Sequence, residues 1–156
     1  WSPDGTRIAS TSNDSMVEVW NAPTGQHLIT YQNHNDVVSD VQWSPNSLYI
    51  ASASFDSTVQ VWNARTGKLL FFYDGHSGFV NSLAWSPHGA IIVSGGQDGT
   101  VQVWNAFLGQ SIITFLSQAT SVAWSPGGAF IATGGNDGLV KLWPIALYVP
   151  GRGANS

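Results

Sequence analysis

The chain of 156 residues is 43% hydrophobic and only 9% charged, with a formal net charge of −4, a composition that folds rather than one that stays disordered. Its five cationic residues are scattered at Arg7, Arg65, Lys68, Lys141 and Arg152, so no nucleic-acid partner is expected, because a phosphate-tracking groove needs clustered cations. No apolar run approaches the ~20 residues of a membrane-spanning helix, and the absence of cysteine removes disulfides and thiolate metal sites.

With no signal peptide, no membrane span and no cysteine in this segment, the compartment expected is the cytoplasm. The chain opens inside a repeat without an initiator methionine, which reads as a segment of something longer.

Trp-Ser-Pro opens the chain at Trp1 and returns at Trp43, Trp85 and Trp124, at spacings of 42, 42 and 39 residues. A second tryptophan follows each at an offset of 19, at Trp20, Trp62, Trp104 and Trp143, so all eight tryptophans belong to the repeat. A period near 40 suits a small all-β unit. In the first copy Ile8-Ala9-Ser10 and Val17-Glu18-Val19-Trp20 read as strands. The second copy shows the unit in full. Trp43 to Ser47 is a turn, with Pro45 pre-setting one backbone angle. Leu48 to Ser54 is a buried strand and Phe55-Asp56-Ser57 a second turn. Thr58 to Trp62 alternates with period two, placing Val59 and Val61 on one face and Gln60 and Trp62 on the other.

Ala64 to Gly67 turns the chain again, with Gly67 available for a positive φ. Leu69 to Tyr73 is an apolar strand, and Phe79 to Trp85 runs into the next Trp-Ser-Pro. The third copy repeats this with Ile92-Val93-Ser94 and Val101-Gln102-Val103-Trp104, and the fourth with Ile131-Ala132-Thr133 and Val140-Lys141-Leu142-Trp143. Innermost strands are expected at 38–42, 80–84 and 120–123. The period therefore holds four short antiparallel strands. A meander apolar on both faces is not stable alone and needs a neighbour on each side, which predicts an all-β stack of about four blades around an axis.

The order Gly-His, Trp-Ser-Pro, Ile-Ala-Ser-x-x-x-Asp and Val-x-Val-Trp resembles the WD-repeat β-propeller family over residues 1–143. Blades are expected at about 1–33, 34–75, 76–115 and 116–143, followed by an irregular tail over 144–156. Asn follows the tryptophan in three copies (Asn21, Asn63, Asn105), where the family's name residue is Asp, and Pro144 takes that place in the fourth. The first blade lacks its innermost strand and the last its outermost, unless Leu147 to Val149 supply it. An open or incomplete ring is expected, as part of a larger propeller. Two chains making an eight-bladed ring by self-association through open blade faces, or a closed four-bladed ring, are the alternatives.

The resemblance implies a non-catalytic scaffold or recognition platform for proteins or peptides, with no cofactor. His34, Ser52 and Asp56, and again His76, Ser94 and Asp98, invite a catalytic-triad reading. In the resembled family these types, with Trp62 and Trp104, instead form a hydrogen-bond network bracing each blade. Ser10, Asp14 and Trp20 form a partial set in the first blade, as do Thr133, Asp137 and Trp143 in the fourth. The fourth lacks a histidine because its preceding loop, Leu116 to Ala119, is three residues short. That blade should then be weaker by the ~1–3 kcal/mol of an unsatisfied buried polar group.

The glycine-rich runs at 95–99 and 134–138 are hairpin turns, not phosphate cradles. His27 and His88 have no partner at metal-ligand spacing, and no catalytic or metal residue is expected. Specificity belongs to the variable loops. His34 must meet Asp56, so the fourth-to-first and second-to-third connections share one end of the propeller, the end the family uses for partners. Candidate partner-binding residues there are Asn13, Phe55, Gln97 and Asn136, each preceding a network Asp, with Asp36 and Phe79 nearby. The competing reading, an enzyme or small-ligand site in the central channel, needs acids or histidines on the innermost strands, which offer only Asp40.

Overall fold

The computed structural model describes residues 1–145, and every regular element among them is a β-strand. The first sheet holds β1 (Arg7–Thr11), β2 (Val17–Asn21) and β3 (His27–Tyr31) in that order. The second is the complete unit β4 (Val38–Trp43), β5 (Tyr49–Ser54), β6 (Val59–Asn63) and β7 (Leu69–Tyr73). The third repeats it with β8 (Val80–Trp85), β9 (Ile91–Gly96), β10 (Thr100–Asn105) and β11 (Ser111–Leu116). The fourth holds β12 (Ser121–Trp124), β13 (Phe130–Gly134) and β14 (Val140–Pro144). All pairings are between chain neighbours and antiparallel. The four sheets are propeller blades, the first without an innermost strand and the last without an outermost one among the described residues.

The turns follow the residue types that specify them. Ser44 Oγ accepts the Tyr49 N–H at 2.9 Å and donates to Asn46 Oδ1 at 2.7 Å, closing the turn that Pro45 enters. Gly67 adopts φ +69°, and the Asn63 side chain accepts the N–H groups of Arg65 and Thr66 at 2.9 and 3.0 Å. Asn at this position thus closes the turn, and Asn105 does the same for Phe107 and Leu108.

Stacking follows from alternation. Val17 and Val19 meet Ile50, Trp62 and Ala64 in one core cluster, while Val59 and Val61 meet Ile92, Trp104 and Ala106 in the next. Val101 and Val103 meet Ile131 in the third, with Trp143 against it. Each sheet thus offers a valine face to its successor and a tryptophan face to its predecessor. An aromatic at or beside the end of each outer strand stacks on the following sheet's tryptophan, with centroids 4.3 Å apart for Tyr31–Trp62, 4.6 Å for Tyr73–Trp104 and 4.4 Å for Phe115–Trp143. Burying an indole of ~150–250 Å² at ~25 cal/mol per Å² is worth roughly 4–6 kcal/mol at most.

The indoles of the Trp-Ser-Pro turns tie the inner strands together. Trp85 Nε1–H donates to the Gln42 carbonyl and Trp124 Nε1–H to the Ala84 carbonyl, both at 3.2 Å. Trp43 Nε1 is the one buried side-chain polar atom without a partner among the described residues, which include no inner strand of the first sheet to present the matching carbonyl.

Three boundaries differ from expectation. Leu48 is exposed in the turn and β5 starts at Tyr49; Phe79 precedes β8 rather than opening it. The tail does not begin at 144: Pro144 ends β14 opposite Phe130, and Ile145 is buried in the third cluster. β14 is an edge strand, where a residue without an N–H is tolerated. Leu147 to Val149 lie outside the described residues.

Candidate functional site

In the second sheet, Trp62 Nε1 lies 3.3 Å from Ser52 Oγ, Ser52 Oγ lies 2.8 Å from His34 Nε2, and His34 Nδ1 lies 2.8 Å from Asp56 Oδ2. The indole N–H donates to the serine and Nδ1–H donates to the carboxylate, which can only accept, with Ser52 Oγ and Nε2 bonded to each other between them. The third sheet repeats the chain through Trp104, Ser94, His76 and Asp98 at 3.3, 2.8 and 2.9 Å. The Ser–His–Asp connectivity is that of a hydrolase triad, but Ser52, Ser94 and both imidazoles are fully buried. Both hydroxyls are sealed from solvent, and each accepts an indole N–H.

Asp56 also accepts from Thr58 Oγ1 at 2.7 Å and the Asn35 N–H at 3.0 Å, and Asp98 from Thr100 Oγ1 and the Ser77 N–H at the same distances. Burial works against charging these carboxylates, yet the bonds from His, Thr and backbone outweigh it and hold both well below the ordinary carboxylate range. Burial pushes His76 below the ordinary imidazole value, and Asp98 only partly restores it.

A second set that sequence reasoning missed bridges adjacent sheets. Tyr31 donates to Gln60 Oε1 and Tyr73 to Gln102 Oε1, both at 2.7 Å. Burial pushes Tyr31 up to about 12, and Tyr73 upward. The signal was present as a tyrosine ending the outer strand and a glutamine between the two valines, each recurring at the repeat period.

The end sheets differ. Trp20 Nε1–H donates to Ser10 Oγ at 3.1 Å, while Asp14 accepts the Met16 N–H and so serves its own turn. In the fourth sheet Trp143 donates to Thr133 Oγ1 at 3.1 Å, and Asp137 accepts from Lys141 Nζ at 2.8 Å. Lys141, at the register of Gln60 and Gln102, also reaches Ser117 Oγ at 3.2 Å. No buried side-chain polar atom of the fourth sheet lacks a partner among the described residues, so the unsatisfied group expected from the missing histidine is not seen: Asp137 lies exposed in the β13–β14 turn and takes a donor from Lys141 of β14. That bond, with the Leu139 N–H, holds Asp137 below the ordinary range.

Meander parity puts the turns β1–β2, β5–β6, β9–β10 and β13–β14 at the same end as the loops entering β4, β8 and β12. Phe55, half-buried in the β5–β6 turn, stacks on Phe79, 40% exposed in the loop entering β8, with centroids 4.6 Å apart and planes 10° apart. The backbone seats both rings: Phe55 N–H donates to the Val37 carbonyl at 2.9 Å and Gln97 N–H to the Phe79 carbonyl at 2.8 Å. Asp36 is exposed beside Val37, its carbonyl accepting from Ser54 Oγ at 3.0 Å. Gln97 and Asn136, both exposed, line a cleft of 240 Å³ with Gln118 and Thr120. Asn13 is exposed in the β1–β2 turn of the first sheet.

The family model of the WD domain, G-beta repeat (WD40), matches residues 1–21, 25–63, 67–105 and 109–144. The chain belongs to the WD40 repeat family. No curated protein matches it.

Each WD40 repeat is staggered by one strand from the blade it helps to build. Residues 25–63 contain β3, which pairs with β2 in the first sheet, and β4, β5 and β6 of the second. Every complete repeat therefore clasps two WD40 blades, and the Tyr31–Gln60 bond lies within one repeat while joining two sheets.

On the inner side, Asp40 faces a groove of 630 Å³ also lined by Ser82, Trp85 and Ser121. Its carboxylate accepts from the Leu83 N–H at 2.9 Å and Ser82 Oγ at 3.2 Å, tying β4 to β8. Among the described residues, no three His, Asp or Glu side chains cluster as a metal site would require, and no helix is long and apolar enough to cross a membrane.

Proposed function

We propose that this WD40 chain is a non-catalytic interaction platform that binds a protein or peptide at the loop end, with Phe55 and Phe79 at the centre of the contact and Asp36, Gln97, Asn136 and Asn13 around it. The observation that carries this is the stacked pair itself. The counterparts of Phe55 in the other sheets are Asn13, Gln97 and Asn136, so the blade does not require an aromatic there. Rigid, partly exposed aromatics bury large area at low entropic cost and dominate binding interfaces. The braces beneath are sealed, which leaves them to hold the loops in place rather than to react. Asp40 is committed to joining two inner strands, and this disfavours catalysis or small-ligand binding in the channel.

The test is selection of peptides from a random library on the intact chain. Binders should lose at least about tenfold in affinity on Phe55→Ala, or about 1.4 kcal/mol, while the melting temperature stays within a few degrees. Binders indifferent to Phe55→Ala and Phe79→Ala but abolished by Asp40→Asn would move the site to the channel. A large stability loss on Phe55→Ala would make the ring part of the fold instead.

A further inference from the structure

Three of the five cationic residues, scattered in sequence, come to one end of the fold. Arg7 of β1 and Arg65 of the β6–β7 turn line a groove of 620 Å³ between the first and second sheets, at the end opposite the Phe55 loops. Lys68 stands exposed on the same turn as Arg65, in a chain whose net charge is −4. Leu28, Ile29 and Leu48 line the groove beside the arginines, with Leu28 and Leu48 42% and 56% exposed. The next interface shows this position filled. Arg7 and Arg65 correspond, one repeat on, to Tyr49 and Phe107, whose rings meet edge to face with centroids 5.3 Å apart. The groove is complete on both sides: β1 is flanked there by β2 and by the Ser2 backbone, whose N–H donates to the Arg7 carbonyl at 2.8 Å.

We infer that this groove docks an acidic peptide segment in which a carboxylate side chain stands beside a leucine-like one. Charge selects the acid. The Arg7 guanidinium is fixed by bonds to the Ala64 carbonyl at 3.0 Å and the Ser47 carbonyl at 2.8 Å, and it lies 4.7 Å over the Trp43 ring. None of these contacts neutralises its charge. Asp4, at 3.9 Å, is the one carboxylate paired with it among the described residues, and Asp4 Oδ1 is already taken by Ser2 and Thr6. Arg65 is exposed, and its guanidinium has no partner among the described residues. Arg65 therefore grips the ligand with a planar fork that matches a carboxylate. Arg7 adds a second charge held against an apolar wall, where attraction is less screened than in open water. Leu28 and Leu48 take the apolar neighbour. The rest of this acidic chain repels such a segment, so the local excess of cations steers it here. The groove lies at the opposite end from Phe55 and Phe79 and stands independently of the function proposed there.

Peptide arrays probed with the full chain test it. One array carries a central Glu or Asp flanked by Leu, Ile, Val or Ala in all orders, and a matched array carries Gln or Asn at the centre. Acidic members with a leucine beside the acid should bind at least about tenfold more tightly than their amide counterparts, and added salt should erode the difference. Arg65→Gln and Leu48→Ser, both at exposed positions, should each weaken that binding, whereas Phe55→Ala should leave it unchanged. The last variant separates failure here from failure at the loop end. Arg7→Tyr combined with Arg65→Phe copies the next interface and should abolish binding without lowering the melting temperature. Circular dichroism checks the fold of each variant, and Arg65→Gln alone keeps the test if the double variant does not fold. Amide peptides bound as tightly as acidic ones, acidic binding indifferent to Arg65→Gln, or no binding on either array would each overturn the proposal. So would Arg65-dependent sedimentation with phosphatidylserine vesicles in place of peptide binding.

Discussion

In the second and third sheets a fully buried imidazole links a serine hydroxyl to an aspartate, whereas in the fourth a half-exposed lysine holds Asp137 from four residues along the same strand and turn. The indole-to-hydroxyl bond is the same in all four sheets, at 3.1 to 3.3 Å. What varies is whether the brace starts from the loop entering the inner strand or reaches that loop from a strand. His34 and His76 sit in that loop and tie it down. The loop before β12 is three residues shorter and carries no histidine, and Lys141 of β14 holds Asp137 at 2.8 Å and reaches Ser117 in that loop at 3.2 Å. Both kinds of brace therefore join the aspartate to the loop, and what separates them is burial: the imidazoles are sealed, whereas the Lys141–Asp137 pair is partly in water.

The largest expected effect tests that separation. His76→Ala strands a mostly buried carboxylate and removes the serine's imidazole partner, at a cost of about 3 kcal/mol. Lys141→Met breaks a pair whose partners are 35% and 41% exposed, and should cost no more than about 1 kcal/mol. Urea unfolding measures both. Equal losses would mean that the two braces are equivalent and that burial does not distinguish them.

Acid sharpens the same contrast. Burial lowers the folded-state pKa of His76, so below the unfolded value of about 6.5 the unfolded chain takes up a proton that the folded chain refuses. The unfolded state then binds more protons, and stability falls as pH drops through that value. Asp56 and Asp98 are held low in the fold; their contribution is intact above about pH 4 and is lost below it. The fourth sheet has no histidine. Amides of β9 and β10 should therefore lose hydrogen-exchange protection relative to β13 between pH 7 and 5, by less than His76→Ala costs. A constant ratio across that range would remove the imidazole from the account.

Much of this was legible in the sequence because tryptophans at a fixed offset and strict alternation fix both the strands and their faces. Boundaries slipped where a residue's type and its place in the sheet disagree, as with exposed Leu48 and edge-tolerated Pro144. The brace residues came through resemblance to a family, and the order in which they bond came only from geometry. Thr58 and Thr100 looked like ordinary strand starts, although each follows its aspartate by two residues in both complete copies. Lys141 was illegible for a different reason. Alternation puts it on the tryptophan face, where its equivalents Gln60 and Gln102 are buried, and only the missing histidine gives its ammonium something to hold. The contact between Phe55 and Phe79 joins different sheets, which no local pattern reports.

Inter-sheet tyrosines offer the next smaller effect. Tyr73→Phe keeps the stack on Trp104 but deletes the donor to Gln102, leaving an arrangement close to the Phe115–Trp143 contact that joins the third sheet to the fourth. A loss of about 1 kcal/mol is expected, read as a lower urea midpoint with an unchanged slope.

The smallest effect separates a platform from a staple at the loop end. Phe55 and Phe79 come from adjacent sheets, so their stack could serve as a further inter-sheet tie like Tyr73–Trp104. Exposure argues otherwise, because Trp104 is sealed while Phe79 keeps 40% of its surface in water. A double-mutant cycle with Phe55→Ala and Phe79→Ala should give a coupling near the lower end of the ~0.5–1.5 kcal/mol found for aromatic pairs. Each single substitution should cost less than Tyr73→Phe. A coupling well above that range, with losses rivalling the loss of a brace, would turn the pair into core and leave the loop end without its binding centre.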